Sequence, residues 1–509
     1  MDTDQRSSGE APVLVAGTGM VSRPARKLGL VDWLEREAFL LPFIAVYAFQ
    51  LFRLVPQQLG QDGWLTLAGG REIVENGLPS TDTLAVLTKG VEWVDQQWLA
   101  QLAFYSLHQL GGLKATLLVH EAVLVLSFTL ALVVARWRGA SARRIGIVAA
   151  LAMFSVFPNS AFRAQTLAYP LFVALLWLLI AEARRPSARV FWAFPFLVLW
   201  TNLHGSAVLG AALISLHGIA FTVDKLRERI DDYSWLRRSA LLVFGPIPFL
   251  FASPYGFGLL DYFKQTIANP DFSRFITEWR SSTFPDQWPL YVLALTAVWL
   301  AARYGRRLTL FEHLALLLTM AGGFLTVRSI AWFGLTALAI LPLCAQGAWP
   351  IRADEVRRRR LNVVLAVGSV AVLAMSVVVA LGRPLSWFEK DWPPDRIAAR
   401  IATQADGDPT LKVFADVRYA DWLLWKQPDL AGRVAYDARL ELLSEDQTEQ
   451  IANFQSRVGE DWTALADGYR VLVFERGEER LREATFLKEP GVDVLYRDKN
   501  AIVLVRTAS

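Results

Sequence analysis

One cysteine, Cys344, stands in a chain of 509 residues, so no disulfide can form within it. Histidine is almost as sparse. His108, His120, His204, His217 and His313 are dispersed and show no metal-ligand spacing. There is no Gly-x-Ser-x-Gly stretch, which removes the nucleophile elbow of a hydrolase. Gly17-Thr18-Gly19 lacks a third glycine and follows no strand, so it is no dinucleotide loop. Asp406-Gly407-Asp408, with Pro409 behind it, reads as a turn. Residues 1–35 hold no short apolar segment with a cleavage site; they read as a disordered cytoplasmic leader, not a signal peptide. No internal repeat is visible.

Apolar residues are what the chain has in excess. They make up 54% of it, with 19 tryptophans and 30 phenylalanines, and the mean hydropathy is +0.31. Charge is only 20% of the chain and is unevenly spread. Residues 383–509 carry 18 basic and 23 acidic side chains, a net of −5, which leaves +9 on the remainder. The basic excess therefore lies in the apolar part, where it reports membrane topology; no nucleic-acid partner is expected.

Apolar runs fall at 37–55, 113–135, 145–161, 166–181, 190–203, 205–222, 239–253, 289–303, 308–325, 329–347 and 361–382. A bilayer crossing takes about 20 residues, so the expected architecture is a polytopic α-helical membrane protein of about eleven crossings. With the N-terminus inside, the inner connections become 136–144, 184–189, 225–238, 303–307 and 352–360, all rich in arginine or lysine. Segments 56–112 and 254–288 become outer loops, and 98–111 an apolar helix lying at the outer interface. The expected domains are thus the leader, a membrane domain over 36–382 and an extracytoplasmic α/β domain over 383–509. In the last, 411–416, 433–439, 470–475 and 501–507 read as strands, and 393–404, 441–454, 459–468 and 477–487 as helices.

Ionisable groups at a membrane interface are costly unless paired or solvated, which makes them functional candidates. On this topology one side collects Asp62, Arg71, Asp82, Asp95, Gln96, Gln97, Arg163, Gln165, Asn202, His204, Glu278, Arg280 and Arg328. Each has a plainer reading. Asp62 serves as a solvated helix end, Arg163 and Arg328 snorkel, and Asn202 and His204 bond neighbouring helices. Asp82 and Asp95 belong to turns, and Glu278 pairs with Arg280. The functional reading expects a single cavity joining Asp62, Arg163, His204 and Arg328.

The first outer loop runs from Asp62 through Arg71-Glu72, Asn76-Gly77-Leu78-Pro79 and Trp98-Leu99-Ala100-Gln101 to Leu110-Gly111-Gly112. It resembles the first loop of membrane glycosyltransferases of the C-type (GT-C) fold, which use polyprenyl-phosphate sugars. The chain is more similar still to an uncharacterised branch of bacterial membrane proteins related to that superfamily. The shared stretches are Asp62-Gly63-Trp64, Trp93-Val94-Asp95, Asn202-Leu203-His204-Gly205, Pro254-Tyr255-Gly256, Glu278-Trp279, Val327-Arg328-Ser329 and Ala420-Asp421-Trp422-Leu423. It departs from better-known branches: Asp62-Gly63 replaces their Asp-Glu pair, Asp95-Gln96-Gln97 replaces Lys-Pro-Pro, and Trp-Trp-Asp-Tyr-Gly is missing.

The resemblance implies an inverting transferase in a bacterial cytoplasmic membrane, with Asp62 as general base. It takes sugar from a polyprenyl-phosphate donor to an envelope glycan, lipid or protein. No cofactor is indicated, and a divalent metal is left open. The competing expectations are a flippase for lipid-linked sugar, and an inactive envelope scaffold.

Overall fold

In the computed structural model, residues 38–228, 233–266, 277–348, 359–476 and 480–507 are described. The expected leader at 1–35 and most of the basic stretch 352–360 lie outside them.

All eleven apolar runs are helical. The membrane helices are α1 (Leu41–Gln58), α3 (Trp98–Trp137), α4 (Ala142–Val156), α5 (Ala168–Arg184), α6 (Ala193–Leu203) and α7 (Ala207–Glu228). They continue with α8 (Trp235–Phe244), α9 (Pro246–Phe249), α11 (Trp288–Tyr304), α12 (Leu310–Leu325), α13 (Ile330–Ala348) and α14 (Arg359–Gly382). Two further helices, α2 (Gln61–Asn76) and α10 (Leu259–Thr266), complete this part. Six of the apolar segments are long and apolar enough to cross a membrane among the described residues. Run 239–253 is split into α8 and α9 at Pro246, whose ring fits a first helical turn but not a helix interior.

The segment 98–111 and the crossing after it form one element bent at Gly112, where φ is +70°. Only glycine adopts that conformation cheaply, so the change of direction resides in one residue. Helix α13 is buried on all sides from Ile330 to Ala345 and is apolar all round, as a central helix must be. Trp332 on α13 packs against Tyr169, Phe172 and Trp200, with centroids 4.6, 5.0 and 5.7 Å away.

The basic connections meet at one end. Glu312 accepts from both Arg138 and Arg184, Arg307 reaches Gln346, Gln346 donates to the Gly139 carbonyl, and Arg238 pairs with Glu182. The 17 residues of α5 run from this end to the segment just after Arg163, about 25 Å at 1.5 Å per residue.

The C-terminal domain is an α/β unit. Its sheet has the order β1-β2-β4-β3, with β1 (Val413–Ala415) parallel to β2 (Val471–Glu475) and the other pairs antiparallel. Strand β3 (Val492–Arg497), which hydropathy did not disclose, lies at the sheet edge with all six residues half-buried or exposed and a bulge between Val494 and Tyr496; β4 (Ala501–Arg506) lies between it and β2. Helix α15 is Leu385–Phe388, α16 Asp395–Asp406, α17 Val417–Lys426, α18 Glu445–Ser456 and α19 Arg480–Phe486. The expected helix 459–468 is a 3-10 turn over Trp462–Ala466, and α17 was not expected.

Segment 433–439 is not a regular strand. It makes isolated bridges instead: Val434 pairs with Val413 on one side and Ala85 of the first loop on the other. Main-chain bonds Val86 to Val434 (2.8 Å) and Gly432 to Leu84 (2.8 Å) sew the loop to the domain. One core of buried residues holds Trp64 and Leu67 of α2, Leu84 and Trp93 of the loop, and Trp392, Tyr419 and Trp422 of the domain. In water such burial stabilises by roughly 1.5–3 kcal/mol per large side chain, so the domain and the loop act as one body.

Candidate active site

Asp62 enters the site because α2 begins at Gln61, directly after the first crossing, with Asp62 in its first turn, where a negative charge suits the helix dipole. Its neighbour explains a departure seen in the sequence. A Cβ on Gly63 would meet Phe162 Cδ1 at 2.5 Å and the Phe162 carbonyl at 3.2 Å. The turn 158–165 thus closes on α2, and the Phe162 amide donates to Gln58 O at 2.8 Å. A glutamate at position 63 has no room.

That closure brings in Arg163, 8% exposed, whose guanidinium forms a two-toothed pair with Glu278 and lies 3.9 Å from Asp62. Glu278 comes from a 3-10 turn, Thr277–Trp279. Arg328, on the 3-10 turn Val327–Ser329 that begins the central helix, donates to Gln165 at 3.3 Å and stacks over Trp279 at 4.6 Å. His204 ends α6; its Nδ1 accepts the Ser206 amide at 3.0 Å, so the neutral ring carries its proton on Nε2. A single cavity of about 110 Å³ is lined by Asp62, Gln96, Gln97, Arg163, Gln165, His204, Glu278 and Arg328. Asp62 and Glu278 are 45% and 41% exposed into it.

The electrostatics follow from burial and pairing. Desolvation raises the Asp62 carboxyl above its ordinary value, against the pull of Arg163. For Glu278 burial also pushes upward, but the Arg163 charge outweighs it and holds the carboxyl low. Burial and then the charge of Arg328 drive His204 well below the usual imidazole range, so it is neutral. The site therefore separates its acids: Glu278 is the fixed counterion, and Asp62 is the one with affinity for a proton. Among the described residues no three His, Cys, Asp or Glu side chains lie close enough to hold a metal ion.

Other sequence candidates stand elsewhere. Arg71 donates to the Trp425 and Leu424 carbonyls (2.8 and 2.6 Å) and stacks on Trp425, which docks the end of α17 onto α2. Asp82 pairs with Arg439 at 2.7 Å. Asp95 lies behind the cavity, accepting from Gln101 at 3.1 Å. Asn202 ties α6 to the Ala252 carbonyl and accepts from Trp98 Nε1 at 2.9 Å, the helix-bonding role. Arg280 is exposed and does not line the cavity, whereas Glu278 pairs with Arg163 there.

Sequence reading missed the roof. Tyr262, Thr266, Ala438, Arg439 and Glu441 also line the cavity, the last three from the C-terminal domain. The only hint is that charges reappear as Asp437-Ala438-Arg439-Leu440-Glu441 straight after an apolar stretch.

The sequence matches no family model and no curated protein. The fold, however, has solved counterparts. Over 92% of this chain and 98% of the other, it resembles ArnT from Cupriavidus metallidurans bound to undecaprenyl phosphate, with 16% identity and a TM-score of 0.50. The apo form of that protein gives 0.51 over 91% and 97%. The archaeal oligosaccharyltransferase AglB from Archaeoglobus fulgidus, in complex with an inhibitory peptide and a dolichol-phosphate, gives 0.51 at 10% identity, over 85% of this chain and 69% of that one. The chain has the architecture of the C-type membrane glycosyltransferases, as its first loop led one to expect.

Proposed function

We propose that this protein transfers a sugar from a polyprenyl-phosphate donor to an envelope acceptor, with inversion, at the outer face of a bacterial cytoplasmic membrane. The observation that carries the proposal is the cavity itself: a proton-seeking carboxylate, Asp62, faces Arg163 and Arg328 where the membrane helices end. The fold shared with lipid-phosphate-binding proteins supports the same reading.

In the reaction, the acceptor oxygen forms a bond to the anomeric carbon as the bond from that carbon to the phosphate oxygen breaks. The electron pair leaves with the phosphate, and the hydroxyl proton passes to Asp62. A base must come within about 3 Å of that proton, or reach it through one water. Charge growing on the leaving phosphate calls for a guanidinium. Arg163 is already clamped by Glu278, whereas Arg328 has a longer bond to an uncharged amide and is stacked on an indole. Arg328 is therefore the main phosphate contact, with Arg163 setting the local charge. Neutral His204 donates from Nε2. The basic connections at the far ends of the helices support a cytosolic position for that end, with the cavity on the outer side.

The test uses vesicles containing the protein and polyprenyl-phosphate sugars, with an envelope extract supplying the acceptor hydroxyls. Wild type releases polyprenyl phosphate and Asp62→Asn does not. Equal release by the two removes Asp62 from the mechanism, and movement of intact lipid-linked sugar without bond cleavage replaces transfer by flipping.

A further inference from the structure

The membrane half of the cavity holds the base and the phosphate-binding cations, but the C-terminal domain supplies the opposite wall. Arg439, 3% exposed, is fixed there on three sides. Its Nε donates to both Asp437 oxygens at 3.0 and 3.1 Å, its Nη2 to Asp82 at 2.7 Å and to Asp437, and Trp93 lies 4.2 Å beneath the guanidinium. The remaining nitrogen, Nη1, is buried and has no hydrogen-bond partner among the described residues. Other arginines, Arg138 among them, also carry a buried unmet nitrogen, but Arg439 is one that lines the cavity, where a ligand can meet it. Two residues on, Glu441 lines the same cavity from the 3-10 turn Leu440–Leu442. Acceptor and donor thus sit two residues apart on a wall held to the first loop by main-chain bonds.

A sugar held by its phosphate at Arg328 must extend away from the membrane, toward this wall. Its adjacent hydroxyls each donate and accept, so a fixed N–H beside a carboxylate matches two of them at once. We infer that Arg439 and Glu441 form a subsite that recognises vicinal hydroxyls of the donor's sugar. This inference rests on the donor reading above. It gives the C-terminal domain a defined part in substrate selection: the domain reads the sugar, and the membrane helices hold the phosphate.

The experiment compares two probes in nanodiscs, bare undecaprenyl phosphate and the same lipid carrying a hexose. Glu441→Gln and Glu441→Ala should weaken the hexose-bearing lipid about tenfold, the loss of one hydrogen bond to a charged group. Both should leave bare undecaprenyl phosphate unchanged. Arg328→Ala should weaken both probes. Glu441 variants that hold the hexose-bearing lipid as wild type does overturn the subsite alone. Variants that lose both probes equally also overturn it, since the effect then lies on the phosphate. Wild type that ignores both probes overturns the donor reading, and this inference with it. Glu441 is on a partly exposed turn, and the matched behaviour toward the bare lipid reports that the wall is still folded.

Discussion

Two clusters of arginine and carboxylate sit at opposite ends of the membrane domain, and they differ in how their charges close. In one, Glu312 is 0% exposed and receives Arg138 and Arg184; Arg138 also donates to the Ala339 and Ile340 carbonyls at 2.9 and 2.8 Å. The capping box formed by Thr309 and Glu312 uses the same carboxylate to start α12. In the other, Glu278 pairs with Arg163, and Asp62 remains nearly half-exposed beside them. The same chemistry of pairing therefore makes a clasp at one end and, at the other, leaves a carboxylate open to a cavity.

The largest effect expected is on turnover from Asp62→Asn. It should fall by at least about 100-fold, as loss of a general base does, with an unchanged melting temperature. Glu312→Ala should be its mirror image. It leaves two guanidinium groups facing each other, one of them buried, and should lose on the order of 3–5 kcal/mol of stability. The molecules that remain folded should keep their activity. Thermal unfolding and single-turnover release, measured on both variants, separate the two; a destabilised Asp62→Asn would erase the distinction.

A second, smaller effect sharpens the account of the reactive end. Gly63→Ala must displace Phe162 and with it Arg163, so it should cut turnover by roughly tenfold through a contact that carries no charge. Normal turnover in that variant would mean that Arg163 need not stand where Gly63 lets it.

Proton linkage bears on the cavity end as well. Burial pushes Asp95 and Glu441, both near the cavity, up to about 7. Their folded values lie above the unfolded ones, so the stability they contribute is present below about pH 4 and fades as pH rises through 7. The melting temperature should drop on the order of 5 °C between pH 5 and pH 8, and Asp95→Asn with Glu441→Gln should flatten the decline. A drop that persists in the double variant would assign it to other groups. The smallest effect belongs to Arg71→Ala. It should leave turnover within about twofold, because Arg71 does not line the cavity, and loosen the end of α17, seen as faster proteolysis near Trp425.

Much of this molecule could be read before any coordinates. Apolar run length found the helices, because a bilayer imposes one length scale on every crossing. Interruptions of those runs by Arg163, His204 and Arg328 found the cavity floor, since an ionisable group in such a place demands a reason. The roof stayed hidden for a different cause. Residues 433–439 alternate like a strand, but they pair with one residue of β1 and one of a loop 350 positions away, and nothing local signals such a partner. Arg71 and Asp82 misled for the same reason, each being matched to a group more than 350 residues downstream. Short-range patterns name the polar residue; only the tertiary partner tells a clasp from a site.

The sewing of the first loop to the last domain has a consequence for biosynthesis. A ribosome releases Arg71, Asp82 and Leu84 early, but their partners Trp425, Arg439 and Gly432 emerge some 350 residues later. Until then the loop waits with its carbonyls and charges met by water alone. A nascent chain that has threaded every helix still lacks the roof of its cavity, and that cavity can close only when synthesis is all but finished.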